Sequence, residues 1–368
     1  GGYIKYLQTT TVFPKMPLVG NMLTDNFIHN RLNFRWYPAR QWTVAVEARN
    51  RLFYGEQVKL FNTFGSFSQR IDQYEGLVDL SVIWLDEEAA LLHSIVDRAY
   101  LNWAGEKWEV RLGRQRINWG INLAWNPNDL FNPLNFLDFD YEERPGRDAL
   151  RVQYFPGLMS SVELAFAPAK KISNSIGAAL YKFNLGTYDI QLLAGYARGD
   201  LAFGGGWAGY IGGAGFKGEA TYYSPTGAAT DTLGRAFIFS TALDYQFGNG
   251  IYATASVLYN SKGQGLNNGA TQGPLLLGGS STVSSKNLFP GKWAYLLQAS
   301  RQLHPLVSLS VAGLYTPTDN LSIFFPTITY SIKENWDLDL VAQAALADQN
   351  EAYRHLGTSL FFRLKWSY

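Results

Sequence analysis

Cysteine is absent from the 368-residue chain, which excludes disulfide staples, thiolate metal sites and cysteine-based catalysis. That absence suits an exported protein that avoids disulfide chemistry. Charge is scarce and balanced: 17% of residues are charged, with 31 Lys plus Arg against 30 Asp plus Glu. No global basic field exists to gather nucleic acid. Long apolar runs are missing too. No window approaches the roughly 18 to 20 uninterrupted apolar residues of a transmembrane helix, so helical membrane proteins are excluded. The opening "GGYIKYLQTT" lacks the basic and apolar regions of a signal peptide and is read as a mature or trimmed start. What remains is a chain 47% hydrophobic and 15% aromatic with 36 glycines, too apolar for disorder and richer in aromatics than a soluble domain.

The dominant pattern has a period of two. In "QWTVAVEARNRLF", Trp42, Val44, Val46 and Ala48 share one phase, and Thr43, Ala45, Glu47, Arg49 and Arg51 share the other. This is a strand with one apolar and one polar face. The same alternation recurs around Leu32, Phe34 and Trp36, around Ile190, Leu192 and Ala194, and around Leu338, Leu340 and Ala342. Turn formers such as "YPARQ", "FPG", "FGNG", "TPTDN" and "KEN" punctuate it. A soluble β-sandwich also alternates, but its strands average about five or six residues. Here they run to about ten to thirteen, bracketed by Trp42, Trp103, Trp293, Tyr315 and Trp336. Long strands that are apolar on one face and girdled by aromatics point to a closed antiparallel transmembrane β-barrel, because only closure satisfies every backbone group in hydrocarbon.

The end of the chain, "TSLFFRLKWSY", sets Leu360, Phe362, Leu364, Trp366 and Tyr368 against Phe361, Arg363, Lys365 and Ser367. It resembles the terminal strand of Gram-negative outer-membrane β-barrels. The resemblance implies an outer-membrane location and a partnership with the barrel-assembly machinery during biogenesis. The motif is short and fits many families, so it names the class alone.

Counting back from this strand gives eighteen between residues 31 and 368, including one near 77 to 85. The segment "GYIKYLQT" would make nineteen. Single-chain bacterial barrels have even strand numbers, so the expectation is eighteen, within sixteen to twenty, in a single domain spanning 1 to 368. With the last strand descending to the periplasm, 118 to 146 and the Gly/Ser-rich 261 to 290 fall outside. The same scheme places the short "YPAR" turn outside and the long 54 to 76 segment inside, the reverse of the usual lengths. Segment 54 to 76 alternates poorly and reads equally as a short helix, a plug or a missed strand.

The stretch "RLGRQRINWG" concentrates three arginines. Arg111 shares the inward phase of Glu109, whereas strict alternation would turn Arg114 and Arg116 toward lipid, where each costs about 2 to 4 kcal/mol at the midplane. A bulge at Gly113 would bring both inward. Arg98, Arg147 and Arg151 on flanking strands, and Arg31, Arg35, Arg49 and Arg51 nearer the N-terminus, extend this basic lining. The bland alternative is that these groups pair with lumen carboxylates.

Segment 118 to 146 has too many apolar groups for a solvated loop, among them Trp125, Leu130, Phe131, Leu134 and Phe136. Its length and composition imply packing, most simply inside the barrel. It also carries Asp129, Asp138, Asp140, Glu142 and Glu143. An acidic loop facing an arginine wall resembles the eyelet of general diffusion porins, which implies a transverse field across a constriction; an external lid is the other reading. The four histidines fall in expected loops or turns without metal-ligand spacing, and no nucleophile elbow or phosphate loop occurs. The sequence therefore points to an outer-membrane, porin-like barrel, without cofactor, passing small hydrophilic solutes. A filled barrel docked in an envelope complex is the second reading. A barrel hydrolase using His355 near Asp348, or His29 near Asp25, is the third. Outer-membrane lipid is the expected surrounding, nucleic acid is not an expected partner, and homo-oligomerisation rests on class resemblance.

Overall fold

The computed structural model describes residues 1–14, 20–74, 76–134, 146–227, 233–265, 284–349 and 352–368. Alternating segments in this chain pair edge to edge into one antiparallel sheet, and its first strand pairs with both the second and the last, so no edge is left open. The strands are β1 (Gly2–Val12), β2 (Met22–Ala39), β3 (Trp42–Gly55), β4 (Ser81–Glu87), β5 (Ala90–Ala104), β6 (Trp108–Gln115), β7 (Arg147–Gly157), β8 (Ser160–Ala167), β9 (Ile176–Leu185) and β10 (Tyr188–Ala197). They continue as β11 (Asp200–Ile211), β12 (Ala214–Pro225), β13 (Ala236–Gln246), β14 (Ile251–Asn260), β15 (Trp293–His304), β16 (Val307–Thr316), β17 (Leu321–Lys333), β18 (Trp336–Gln349) and β19 (Ala352–Ser367).

Eighteen of these strands are staves of the closed wall, as expected, but their membership differs by one exchange. The N-terminal segment is a full stave, pairing Tyr3 with Ser367 on one side and with Arg31 on the other. The expected strand near 77 to 85 is the short β4, which is not a full stave. One edge of β5 pairs with β3 along its length. Its other edge is shared: Ala99–Ala104 pair with β6, and Ala90–Ile95 pair with β4. The chain leaves the wall after β6, and β4 takes over the vacated backbone partners of β5. A period-two pattern reports faces and not partners, so such a patch reads like a complete stave.

The exchange also sets the two ends in order. Turns of two or three residues, including 40–41, 105–107, 186–187 and 334–335, lie at one end with both termini. Longer connections, including 56–89, 116–146 and 261–292, lie at the other. "YPAR" is therefore at the short-turn end and 54–76 at the long-loop end, opposite to the expectation. Short periplasmic turns and longer external loops are the pattern of outer-membrane barrels. Segment 54–76 forms helices α1 (Glu56–Phe64) and α2 (Phe67–Ile71). Ser66 caps α2 by accepting from the Gln69 N–H at 3.2 Å, and Val58 and Phe67 pack on Leu91.

On the outer face Leu32, Phe34, Leu112, Leu150, Leu164, Leu192, Leu297 and Leu340 are exposed. Such a continuous apolar exterior demands lipid. Aromatic pairs edge the belt at both ends: Trp108 with Tyr154 at 4.5 Å and Trp336 with Trp366 at 5.9 Å near the short turns, Tyr259 with Trp293 at 4.7 Å near the long loops. The histidines, expected in loops or turns, stand in strands: His29 in β2, His93 in β5, His304 ending β15 and His355 in β19.

Candidate functional site

Residues that alternate with the lipid-facing side chains project into the lumen, and on seven adjacent staves, β19 through β3 and β5 to β7, this inward set is strongly basic. Its centre is Asp97, fully buried. Arg31 Nη1 lies 2.9 Å and Arg49 Nε 3.0 Å from one Asp97 carboxylate oxygen. Arg31 also pairs with Glu47. Both Asp97 and Arg98 serve this cluster because β5 slips register here: Glu47 opposes Arg98, but Ala48 opposes Val96. A bulge turns two successive side chains to one face. Arg98 Nη1 donates to the Asp97 carbonyl at 2.7 Å. Arg35, closer to the short-turn end, is 58% exposed and 3.6 Å from Glu47.

Further along this wall, Arg51 Nη2 is 2.9 Å from His93 Nδ1. Arg111 bonds Glu109 and Asn102, each at 2.9 Å, and its guanidinium lies over Tyr100. Arg151 is 3.2 Å from Glu163. Lys5, Lys365 and Arg363 add to the same side, Arg363 donating to Asp339 at 2.9 Å. Buried Arg–carboxylate pairs fix side chains in place, but arginines outnumber the acids here, so the wall keeps a positive surplus.

Among the expected lining residues Arg114 is placed elsewhere, whereas Arg147 keeps the inward phase of Arg151. Gly113 has a left-handed φ of 117°, yet β6 keeps unbroken register with both neighbours. The bulge expected there occurs instead on β5, at Asp97. Without a phase reset, Arg114 sits in the seam where β4 replaces β6: it donates to Asp148 and to the carbonyls of Val96 and Val78. Tyr74 covers its guanidinium at 4.0 Å, and burial pushes that phenol up to about 12. Arg114 therefore closes the wall and does not line a pore. Arg116 stands just past β6, half-buried where the chain turns inward. Arg147 Nε is tied to the Phe131 carbonyl at 2.6 Å.

From Ile117 to Asn132 the chain crosses the lumen and lies against the far wall. Glu219 on β12, fully buried, accepts the backbone N–H groups of Ile121 and Asn122 on one oxygen and of Asn128 on the other. Asn128 donates to the Gly205 carbonyl at 2.9 Å and accepts from Thr221 at 2.7 Å. Gln191 donates to the Trp119 carbonyl at 2.9 Å, Trp119 donates to Glu163 at 2.7 Å, and Tyr223 donates to the Pro127 carbonyl at 3.1 Å. The approach is possible because β11 carries "FGGGW". A Cβ at Gly204 would stand 2.8 Å from Asn128 Oδ1, and one at Gly206 2.8 Å from Ile121 Cδ1. Trp119, Trp125, Leu130 and Phe131 join inward apolar residues and Leu288 and Phe289 in one buried cluster.

Glu219 and Gly204–Gly206 were not among the candidate residues. Glycine inside a strand marks close approach of another backbone, and "FGGGW" was the available signal. Of the expected acidic loop residues, Asp129 is buried and accepts from Asn132 N–H at 3.4 Å within its own turn. Asp138, Asp140, Glu142 and Glu143 lie outside the described residues, as does most of 261 to 290. His29 is buried against Tyr3 and Phe27, and His355 is 2.8 Å from Thr358. No cluster of three metal-ligating side chains occurs among the described residues.

A closed eighteen-stave barrel with an apolar belt, a polar interior and an inward segment is a porin-type outer-membrane fold. Solved structures agree. The outer membrane protein OpdK of Pseudomonas aeruginosa superposes with a TM-score of 0.57 at 7% identity, covering 100% of this chain and 98% of that one. OccK11 (OpdR) of the same organism gives 0.56 at 12% identity, covering 99% and 94%. OccAB3 of Acinetobacter baumannii gives 0.56 at 9% identity, covering 100% and 98%. At these identities the likeness is one of fold. No family model and no curated protein matches the sequence.

Proposed function

We propose that the chain is a porin-like channel through which small hydrophilic solutes cross the outer membrane passively, with a preference for anions. The observation that carries this reading is the polarised lumen. Arg35, Arg49, Arg51, Arg98, Arg111 and Arg151 occupy one wall, while residues 117–132 are pinned to the other. An aqueous path between a fixed loop and a basic wall is narrowed by the loop and biased by the wall's field. Residues 118 to 146 are the constriction element in this reading, and 261 to 290 belong to the external face. Outer-membrane lipid surrounds the barrel, and the barrel-assembly machinery inserts it.

A filled, non-conducting barrel serving as a docking subunit is the second reading, favoured by the apolar cluster of Trp119, Trp125, Phe131 and Phe289 inside the lumen. Planar-bilayer recording separates the two. The channel reading expects discrete, stable current steps from the purified protein; a barrel that inserts, verified by protease protection, and carries no current sinks it.

A further inference from the structure

The long-loop rim is polarised in charge. From the β8–β9 connection round to β15, its exposed charged residues are Lys170, Lys171, Arg235, Lys262 and Lys292 among the described residues. Asp200 on that arc and Asp319 just beyond it, between β16 and β17, are buried, and Asp200 is held by Lys286 at 3.0 Å. On the opposite arc the exposed rim carries Glu56, Asp79, Asp86, Glu87, Glu88 and Asp348 against Lys59, Arg70 and Arg354, so acids prevail there.

Three of the cations sit on adjacent strand ends. Ser261 N–H donates to the Phe237 carbonyl at 3.0 Å, and Asn260 N–H donates to the Lys292 carbonyl at 2.8 Å. The tops of β13, β14 and β15 are therefore hydrogen-bonded neighbours, and Arg235, Lys262 and Lys292 spread over two strand spacings, about 10 Å. None has an ion-pair partner within 4 Å among the described residues. Directly beneath, on the outer face, runs a ladder of rings: Phe237 to Tyr259 at 6.4 Å, Tyr259 to Trp293 at 4.7 Å and Trp293 to Tyr295 at 6.3 Å. Below the rings the surface is aliphatic, with Leu243, Leu297 and Val311 exposed.

We propose that this arc is a docking site for a phosphorylated glycolipid headgroup of the outer leaflet. Phosphates would meet Arg235, Lys262 and Lys292, sugar rings would stack on Tyr259 and Trp293, and acyl chains would lie on the aliphatic face. The order cation, aromatic, aliphatic along the barrel axis matches the order phosphate, sugar, hydrocarbon in such a lipid. A phosphate oxygen forms charge-assisted hydrogen bonds with guanidinium and ammonium groups, and aromatic side chains favour the headgroup boundary. The site rests on the long-loop end facing outward, as the channel reading also requires.

The test is native mass spectrometry of the full chain in detergent with a diphosphoryl lipid A and its dephosphorylated counterpart. The wild type is expected to retain the diphosphoryl form at least tenfold better. The triple variant R235Q/K262Q/K292Q should lose that preference, and the opposite-arc control K59Q/R70Q should keep it. Millimolar inorganic phosphate should not displace the lipid. Equal retention of both lipids by the wild type, unchanged retention by the triple variant, or displacement by phosphate overturns the proposal. Conductance is the separate readout: a conducting protein without lipid preference sinks this inference alone, and a lipid-retaining protein without current sinks the channel reading alone.

Discussion

Glu219 is one carboxylate on which three backbone N–H groups of the inward segment converge. Each buried donor left without an acceptor costs about 1 to 3 kcal/mol. Glu219→Ala is therefore expected to free residues 121–128 from the far wall. Single-channel traces should become noisy, with an altered mean conductance, whereas Glu219→Gln, which keeps one acceptor oxygen, should be milder. Traces of Glu219→Ala identical to wild type would show that other contacts hold the loop. Asp97 plays the matching part on the basic wall. Asp97→Asn leaves Arg31 and Arg49, both buried, without their shared counter-charge, and breaking a buried pair in this way costs about 3 to 5 kcal/mol. Heating before gel electrophoresis should unfold the variant at a lower temperature than wild type; an unchanged transition would mean that Glu47 suffices.

At the scale of elements, the unusual feature is the stave assembled from two pieces. β6 leaves the wall after Gln115 so that the chain can enter the lumen, and β4 restores the pairing of β5. Arg114 closes the gap through Val96, Val78 and Asp148. Gly113 adjoins this seam with φ 117°, and a Cβ there would collide with the Ala99 carbonyl oxygen. Gly113→Ala is thus expected to destabilise the barrel by about 1 to 3 kcal/mol, read as a lower urea midpoint in lipid vesicles. A midpoint equal to wild type would mean the seam relaxes without loss. The sequence disclosed the strands on either side, because inward and outward residues alternate. It concealed the substitution of β4 for β6, since both carry the same lipid-facing pattern. The bulge was anticipated at Gly113 from the arginine spacing and lies one strand away, at Asp97, where the register with β3 slips.

For the whole molecule, the asymmetry of the lumen sets the expected behaviour. With near-zero net charge, selectivity must come from the local surplus on the basic wall. Reversal potentials under a salt gradient should show anion preference, and Arg35→Gln with Arg111→Gln should weaken it, because these two side chains are the less buried members of the wall. The preference should also fade with ionic strength, as the screening length shrinks from about 10 Å at 0.1 M to about 3 Å at 1 M. A reversal potential at zero, unaffected by either change, would remove the field from the mechanism.

The amino-acid order by itself determined the barrel. Alternation with period two, strands of membrane-spanning length, aromatic brackets and the lack of any helix-length apolar run leave a closed antiparallel sheet as the arrangement that satisfies backbone groups in lipid. The local pattern offered nineteen strands, and the even-number rule for single-chain barrels reduced them to eighteen. Tertiary structure alone decided which segments are staves, which carboxylate anchors the inward loop and which arginines face the lumen. Those outcomes depend on strand register and on contacts between residues some ninety positions apart, as between Asn128 and Glu219, and local periodicity carries no information about such partners.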